Sequence, residues 1–266
     1  MLEKKLTYLF SSDPTNGALN TTPQGDKFSV SLYAPLSVPP NAHYATVEVQ
    51  SANIWNVVPN ISALNGNNIF KYNDGTSDLT LTIPDGLYDL QSFQNTLNIL
   101  IDNVPSAIPA VDTFTFTGDN ATQKVLITFN SNGLVIDWTA STVRTILGFT
   151  TGSTTTAPAG QTIIADNIAN FNLISSFLIK ADFLHDGIPV NDTSIGVIAN
   201  VLIDVLPGSL INYTPTNIPS ANAHELIGSK LSKISFTLTD QRNNPIDTNG
   251  EYWSFTMVVR YYIPEY

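Results

Sequence analysis

The segment "SFTLTDQRNNPIDTNGEYWSFTMVVRYY", residues 235–262, decides the fold. Both flanks alternate aromatic or β-branched residues with polar ones, which is the period-two pattern of half-buried β-strands. The middle is rich in Asn, Asp, Gly and Pro, which favour turns. We therefore predict a hairpin of two strands, with a polar connection that is too long for a two-residue turn.

The second strand of this segment carries a long aromatic face. Trp253, Phe255 and Tyr261 fall in one alternation, which predicts a buried central strand. A chain that ends on a central strand closes its sheet last, and this order is common in jelly rolls and other Greek-key sandwiches.

Similar short patterns, bounded by Asn, Gly, Pro or Asp, run along the rest of the chain. They cover residues 27–34, 44–50, 52–58, 68–72, 78–83, 113–117, 124–129, 134–138, 172–183 and 197–206. In the first of them, Phe28, Val30 and Leu32 share one face. Many short strands at this spacing predict an all-β sandwich or barrel.

Two stretches have helical character instead. Residues 89–104 place Leu90, Phe93, Leu97, Ile101 and Val104 at helical spacing, with an N-cap at 89 and a proline at 105. Residues 141–149 begin with a serine and carry a glycine at 148, which fits a left-handed C′ position. With three strand patterns between them, 84–149 is predicted to be an inserted helix–strands–helix unit.

The remaining segments complete the predicted organisation. Residues 1–26 are predicted to be a flexible N-terminal arm, and the low-complexity stretch 150–162 a flexible loop. The jelly-roll domain then spans 27–266, built from roughly 27–83 and 163–266.

Composition narrows the classes of function. The chain has 266 residues, no cysteine, a formal net charge of −11 and only 12% charged residues. It therefore has no disulfide framework and no thiolate site. Residues 72–123 contain no basic side chain, which argues against a nucleic-acid partner. No stretch approaches 18 apolar residues, so we expect no membrane-spanning helix, and the run 6–10 is too short for a signal peptide.

Side chains for catalysis or metal binding do not form a recognisable pattern. The three histidines, His43, His185 and His224, lack metal-ligand spacing to one another. Two aspartate pairs remain, Asp74 with Asp78 and Asp182 with Asp186. Solvated turns explain these pairs more simply than a calcium loop does, although a calcium between subunits stays open. We predict no catalytic, cofactor-binding or metal-binding residue, and no enzyme activity.

Several motifs resemble one family. The opening "FSVSLYAPLSVPPNAHYATVEVQSANIWNVVPNIS", the middle "TIPDGLYDLQSFQNTLN" and the end "ISFTLTDQRNNPIDTNGEYWSFTMVVRY" resemble vertex-type capsid proteins of polinton-like viruses, virophages and related elements. The resemblance implies a jelly-roll penton protein in the virion, which forms homopentamers at icosahedral vertices beside a major capsid protein and other virion proteins. It implies no cofactor.

Other functions stay open. A compact double-jelly-roll major capsid protein would form trimers, with 150–162 between its rolls. A vertex spike or minor capsid protein is a third version. A carbohydrate-binding sandwich explains the β content equally well and would need an exposed Trp55, Trp138 or Trp253, although strand alternation favours core packing for each. A hydrolase ranks behind these.

Overall fold

The computed structural model describes residues 1–150, 152–189 and 196–265. The chain divides into two compact units. The roll unit comprises Met1–Val58 and Ile174–Tyr266, and the inserted unit comprises Pro59–Leu173. The inserted unit thus interrupts the roll unit once in the sequence.

Short β-strands dominate both units. In chain order the strands of the described residues are β1 (Leu2–Ser11), β2 (Leu19–Asn20), β3 (Lys27–Ser37), β4 (Tyr44–Trp55), β5 (Ile69–Asn73), β6 (Asp78–Thr82), β7 (Phe114–Gly118), β8 (Lys124–Phe129), β9 (Val135–Asp137), β10 (Thr154–Thr156), β11 (Thr162–Ile168), β12 (Ser176–Ala181), β13 (Val197–Leu202), β14 (Leu210–Tyr213), β15 (Ser220–Asn222), β16 (Lys230–Asp240) and β17 (Ser254–Ile263). The helices are α1 (Leu90–Asp102) and 3₁₀ turns at Pro14–Asn16, Ala110–Asp112, Thr142–Thr145 and His224–Leu226.

In the roll unit the first strands pair with the last ones in reverse order. Strand β1 pairs with β17, β3 with β16, β4 with β14 and β15, and β12 with β13, all antiparallel. This part of the chain is therefore one long hairpin. Two further pairings, β17 with β4 and β16 with β12, roll that hairpin into two sheets.

The two sheets have the strand orders of a jelly roll. The first sheet runs β1-β17-β4-β14, with β15 also on β4, and the second runs β13-β12-β16-β3-β2. Their inner faces share one hydrophobic core. This confirms the prediction of an all-β jelly-roll sandwich.

The predicted terminal hairpin is wrong, although both of its strands exist. Strand β16 lies in the second sheet and β17 in the first, so the connection between them crosses the sandwich. Asn243, Asn249 and Gly250 have positive φ in this connection, and the Asp240 carboxylate accepts hydrogen bonds from the backbone N–H of Arg242 and Asn244. Alternation shows that each strand has a buried face, but it does not show which strand is its partner.

The predicted central position of β17 is confirmed, because it lies between β1 and β4. Its inward residue Phe255 is buried, and so is Trp253, which immediately precedes the strand. The Trp253 ring meets Phe28 of the opposite sheet edge-on, with centroids 4.9 Å apart. Phe255 packs against Phe236 of the same opposite sheet, at 4.9 Å. Aromatic pairs of this kind add to the burial energy of the core.

The N-terminal arm prediction also needs correction. Strand β1 pairs with β17 along its whole length, from Leu2 with Ile263 to Ser11 with Ser254. Leu6, Tyr8 and Phe10 face the core, while the two lysines lie in the exposed half of the strand. Because the charged start of the segment masks its alternation, the sequence suggested a polar arm rather than a sheet strand.

The inserted unit is larger than the predicted 84–149. It holds the sheets β10-β9-β5-β6 and β11-β8-β7, which share a core with α1. Strands β5 and β6, predicted to belong to the roll, lie here because β5 pairs with β9. The predicted loop 150–162 contains β10 and the start of β11, and its residue 151 lies outside the described residues.

The helical predictions are confirmed for α1 and adjusted for 141–149. Asp89 caps α1 and exchanges hydrogen bonds with Ser92 in a capping box. The second stretch forms a 3₁₀ turn, at Thr142–Thr145, instead of an α-helix. Gly148 has a φ of 85°, in the left-handed region, and the Phe149 N–H donates to the Arg144 carbonyl at 3.0 Å. This is a Schellman closure with glycine at C′, as predicted.

Candidate assembly surfaces

The residues considered for metal binding do not form a cluster, and several of them take part in local hydrogen bonds. Among the described residues, no group of three or more His, Asp or Glu side chains is arranged to hold a metal ion. The backbone N–H of His185 donates to the Glu225 carboxylate at 3.1 Å, and His224 begins a 3₁₀ turn. The Asp78 carboxylate accepts from the side chain of Asn73 at 2.9 Å.

Asp74, the partner of Asp78 in that pair, holds two loops of the inserted unit together by hydrogen bonds. One carboxylate oxygen accepts from the backbone N–H of Thr76 and Ser77, and the other from Ala107 N–H at 2.7 Å. Burial by itself would raise the pKa of Asp74, but these hydrogen bonds and one from the Thr76 hydroxyl hold it well below its usual range. The carboxylate thus joins the β5–β6 turn to the segment after α1.

The outer face of the first sheet carries a charge network across three strands. Arg260 of β17 donates from Nε to Glu48 of β4 at 2.7 Å, and from Nη1 to Glu3 of β1 at 2.9 Å. Hydrogen bonds to Glu3 and then to Glu48 raise the pKa of Arg260 further. The surrounding outward side chains are largely uncharged, as in the Ser51–Thr256 hydroxyl pair at 3.1 Å. Arg260, Glu48 and Glu3 are therefore paired with one another within one chain.

An apolar bulge interrupts the edge of the second sheet. Ser31 pairs with Lys233 and Leu36 with Leu231, so the four residues Leu32–Pro35 stand opposite one residue of β16. We call these four residues the β3 bulge. Tyr33 is fully exposed at its tip, with Ala34 and Pro35 exposed beside it. Pro35 is the feature of the sequence from which the bulge could have been predicted, because proline within strands is confined to edges and bulges.

The opposite edge of the sandwich carries a groove between its two sheets. We call it the β13–β14 groove, lined by Asn200, Leu202, Asp204, Ile211, Asn212, Tyr213, Thr214 and Pro215. Leu202 is 65% exposed, and Leu206 in the following turn is 78% exposed. Burial raises the pKa of the Tyr213 hydroxyl, which agrees with its partly buried position in the groove. Local sequence patterns do not predict this groove, since it depends on the pairing of distant strands.

Of the three tryptophans, two behave as predicted and one does not. Trp138 and Trp253 are buried, in the inserted and roll units respectively. Trp55, at the end of β4, is 36% exposed and lines a small pocket with Tyr252 and Glu251. Core packing was therefore the wrong expectation for Trp55, because β4 ends there and its last outward side chain is left uncovered.

The described residues contain no helix that is long and apolar enough to cross a membrane.

Comparison with known proteins gives no matching family model and no matching curated protein. A solved structure does match: the crystal structure of selenomethionine-labelled mavirus penton protein. The match covers 98% of this chain and 100% of that chain, with a TM-score of 0.52 and 11% sequence identity. The chain therefore has the fold of a virophage penton protein over nearly its whole length.

Proposed function

We propose that this chain is a structural protein of an icosahedral viral shell, and that it forms the penton at the vertices. The observation that carries the proposal is the end-to-end match to a penton protein, which includes the inserted unit as well as the jelly roll. A match restricted to the sandwich would fit many unrelated functions, because jelly rolls host many of them.

The surface chemistry supports an assembly role. Only 12% of residues are charged, so contacts between copies would desolvate few ions. Exposed apolar side chains nevertheless lie at both edges of the sandwich, including Tyr33, Leu202 and Leu206. Aromatic residues are enriched in the buried centres of protein interfaces.

A single roll fits the penton better than the double-roll alternative. Among the described residues, the reversed pairing order of a jelly roll occurs in the roll unit alone. The segment 150–162, considered as a boundary between two rolls, belongs to the inserted unit. We propose no catalytic role for any residue, and place the protein in the virion with itself and the major capsid protein as partners.

The proposal is tested by locating the chain in virus particles. Purified particles that contain it should bind an antibody against the inserted unit at their five-fold vertices, as seen by immunogold labelling or in a cryo-electron microscopy difference map. Label spread evenly over the facets would contradict the penton role and favour a major or minor capsid protein.

One observation favours a second function, carbohydrate binding. Trp55 and Tyr252 are exposed and line one small pocket together with Glu251, and sugars stack on exposed aromatic faces. A glycan array probed with the wild-type chain and with Trp55→Ala tests this function. Binding that is lost in the variant would support it, and the absence of binding by the wild type would exclude it for the sugars on the array.

A further inference from the structure

The two apolar surfaces of the roll unit differ in shape: the β3 bulge protrudes and the β13–β14 groove is concave. We propose that the β3 bulge of one copy of this chain docks into the β13–β14 groove of a second copy, and that this contact closes the ring. The inference rests on the proposed function, since it names the surfaces through which a penton would assemble.

The β3 bulge is held rigidly although its tip is exposed. Leu32 packs against the core, and Leu36, just after the bulge, is fully buried. Pro35 between them fixes its own φ near −65° and restricts Ala34 as well. Tyr33 is therefore presented on a segment anchored at both ends. A backbone segment that is already anchored loses less conformational entropy on binding than a free loop does.

The β13–β14 groove is also formed before any partner arrives. Its floor contains Ile211, which is buried, and its walls include Leu202 and Pro215. The turn that follows β13 is held by Asn56, whose side chain donates to the Val205 carbonyl at 3.0 Å. The Asn56 backbone adds hydrogen bonds to Gly208 and Ser209. The rim of the groove is thus fixed to the end of β4.

The two surfaces lie on opposite edges of the sandwich. Strand β3, with only two residues of β2 beyond it, is at one edge of the second sheet, and β13 is at the other. Strand β13 also packs against β4 and β15, so the groove lies on the side of the first sheet that ends in β14. A contact between opposite edges is heterologous, and such a contact builds a ring when its rotation closes and an open filament when it does not. A penton requires the closed case.

Charge favours this groove over another one in the same unit. Exposed Lys230 and Lys233 flank the bulge on β16, and exposed Asp204 lines the β13–β14 groove. Within the described part of the chain none of these three forms an ion pair. The other groove has Lys27, Lys180 and His185 in its lining, with Asp182 as its acidic member. A bulge flanked by lysines is repelled there and attracted to the acidic groove.

Cysteine cross-linking tests the contact directly, because the chain has no cysteine of its own. The variants are Tyr33→Cys, Leu202→Cys and the double variant, joined by a short bis-maleimide. All changed side chains are largely exposed, so folding is preserved. The control pair is Tyr252→Cys with Leu202→Cys, since Tyr252 is another exposed tyrosine of the roll unit.

The expected result is a covalent heterodimer when the two single variants are mixed, and a ladder that ends at five chains for the double variant. Dimers of Tyr33→Cys alone would indicate a symmetric contact and overturn the inference. Rings seen by native mass spectrometry without cross-links at these positions would also overturn it, while leaving the penton proposal intact. A wild-type chain absent from particle vertices would remove the proposed function itself.

Substitutions at the two surfaces provide a second test, first of the tyrosine and then of the charges. Tyr33→Ser should weaken ring formation roughly 30-fold, the loss typical of an interface hot spot, whereas Tyr252→Ser should leave ring formation unchanged. Asp204→Lys should also weaken the ring, and adding Lys233→Glu in the same chain should restore it. If the double variant assembles no better than Asp204→Lys alone, the two charges do not meet across the contact.

Discussion

Phe10 provides the sharpest test that β1 is part of the jelly roll rather than an arm. Its side chain is 4% exposed and packs against Phe236 at 4.6 Å and Phe255 at 5.6 Å between ring centroids. Truncating a buried phenylalanine to alanine costs about 3–5 kcal/mol, from lost burial and the cavity left behind. Phe10→Ala should therefore destabilise the roll unit by about 3–5 kcal/mol.

The neighbouring residue is the matched control. Leu9 points away from the core and is 76% exposed, so Leu9→Ala should change the free energy of unfolding by less than about 0.5 kcal/mol. The roll unit spans 58 plus 93 residues, a size at which 1 kcal/mol lowers Tm by about 2–4 °C. Phe10→Ala should thus lower Tm by about 6–20 °C.

The assay is guanidinium unfolding of both variants, followed by circular dichroism and tryptophan fluorescence, with a thermal melt of each. Two units can unfold in separate steps, so the shift is measured on the step that exposes Trp253. Equal stability of the two variants, within about 0.5 kcal/mol, would show that residues 1–12 are not packed in the core and would refute the assignment of β1.

Two further predictions concern the inserted unit. The pKa of Asp74 is depressed in the folded state, so its contribution to stability is complete above the unfolded pKa, about 4, and is lost as pH falls toward the folded value. The urea midpoint of the wild type should fall as pH is lowered from 7 to 2.5. Asp74→Asn should be less stable at pH 7, and its midpoint should change less with pH. Equal pH dependence of the two midpoints would contradict this. Gly148→Ala should cost more than about 2 kcal/mol, because φ is positive and the new Cβ would clash with the Asn167 carbonyl oxygen. Gly160→Ala, with similar φ and open space around it, should cost about 1 kcal/mol, and equal denaturation midpoints for the two variants would show that the contact with Asn167 is absent.

Local patterns in the sequence predicted individual strands better than their partners. The alternation of Phe28, Val30 and Leu32 placed all three toward the core, where they lie. The same kind of pattern in β16 and β17 suggested a hairpin, although each strand pairs elsewhere. Strands that follow one another in a jelly roll often cross between sheets, so neighbourhood in sequence does not determine pairing.

The candidate surfaces were harder to predict, for a related reason. Tyr33 continues the alternation of β3, and only Pro35 hinted that the ladder breaks there. The β13–β14 groove brings Leu202 close to Pro215 through the pairing of β4 with β14 and the packing of β13 against β4. Such a site depends on long-range contacts, which one sequence does not display.

The mass of the purified chain in solution tests the central claim most directly. One chain has a mass of 28.9 kDa, so a pentamer has five times that mass, about 145 kDa. Native mass spectrometry across a range of protein concentrations, with negative-stain images of the same sample, should show five-membered rings. A trimer of about 87 kDa, three times 28.9 kDa, would contradict the penton assignment.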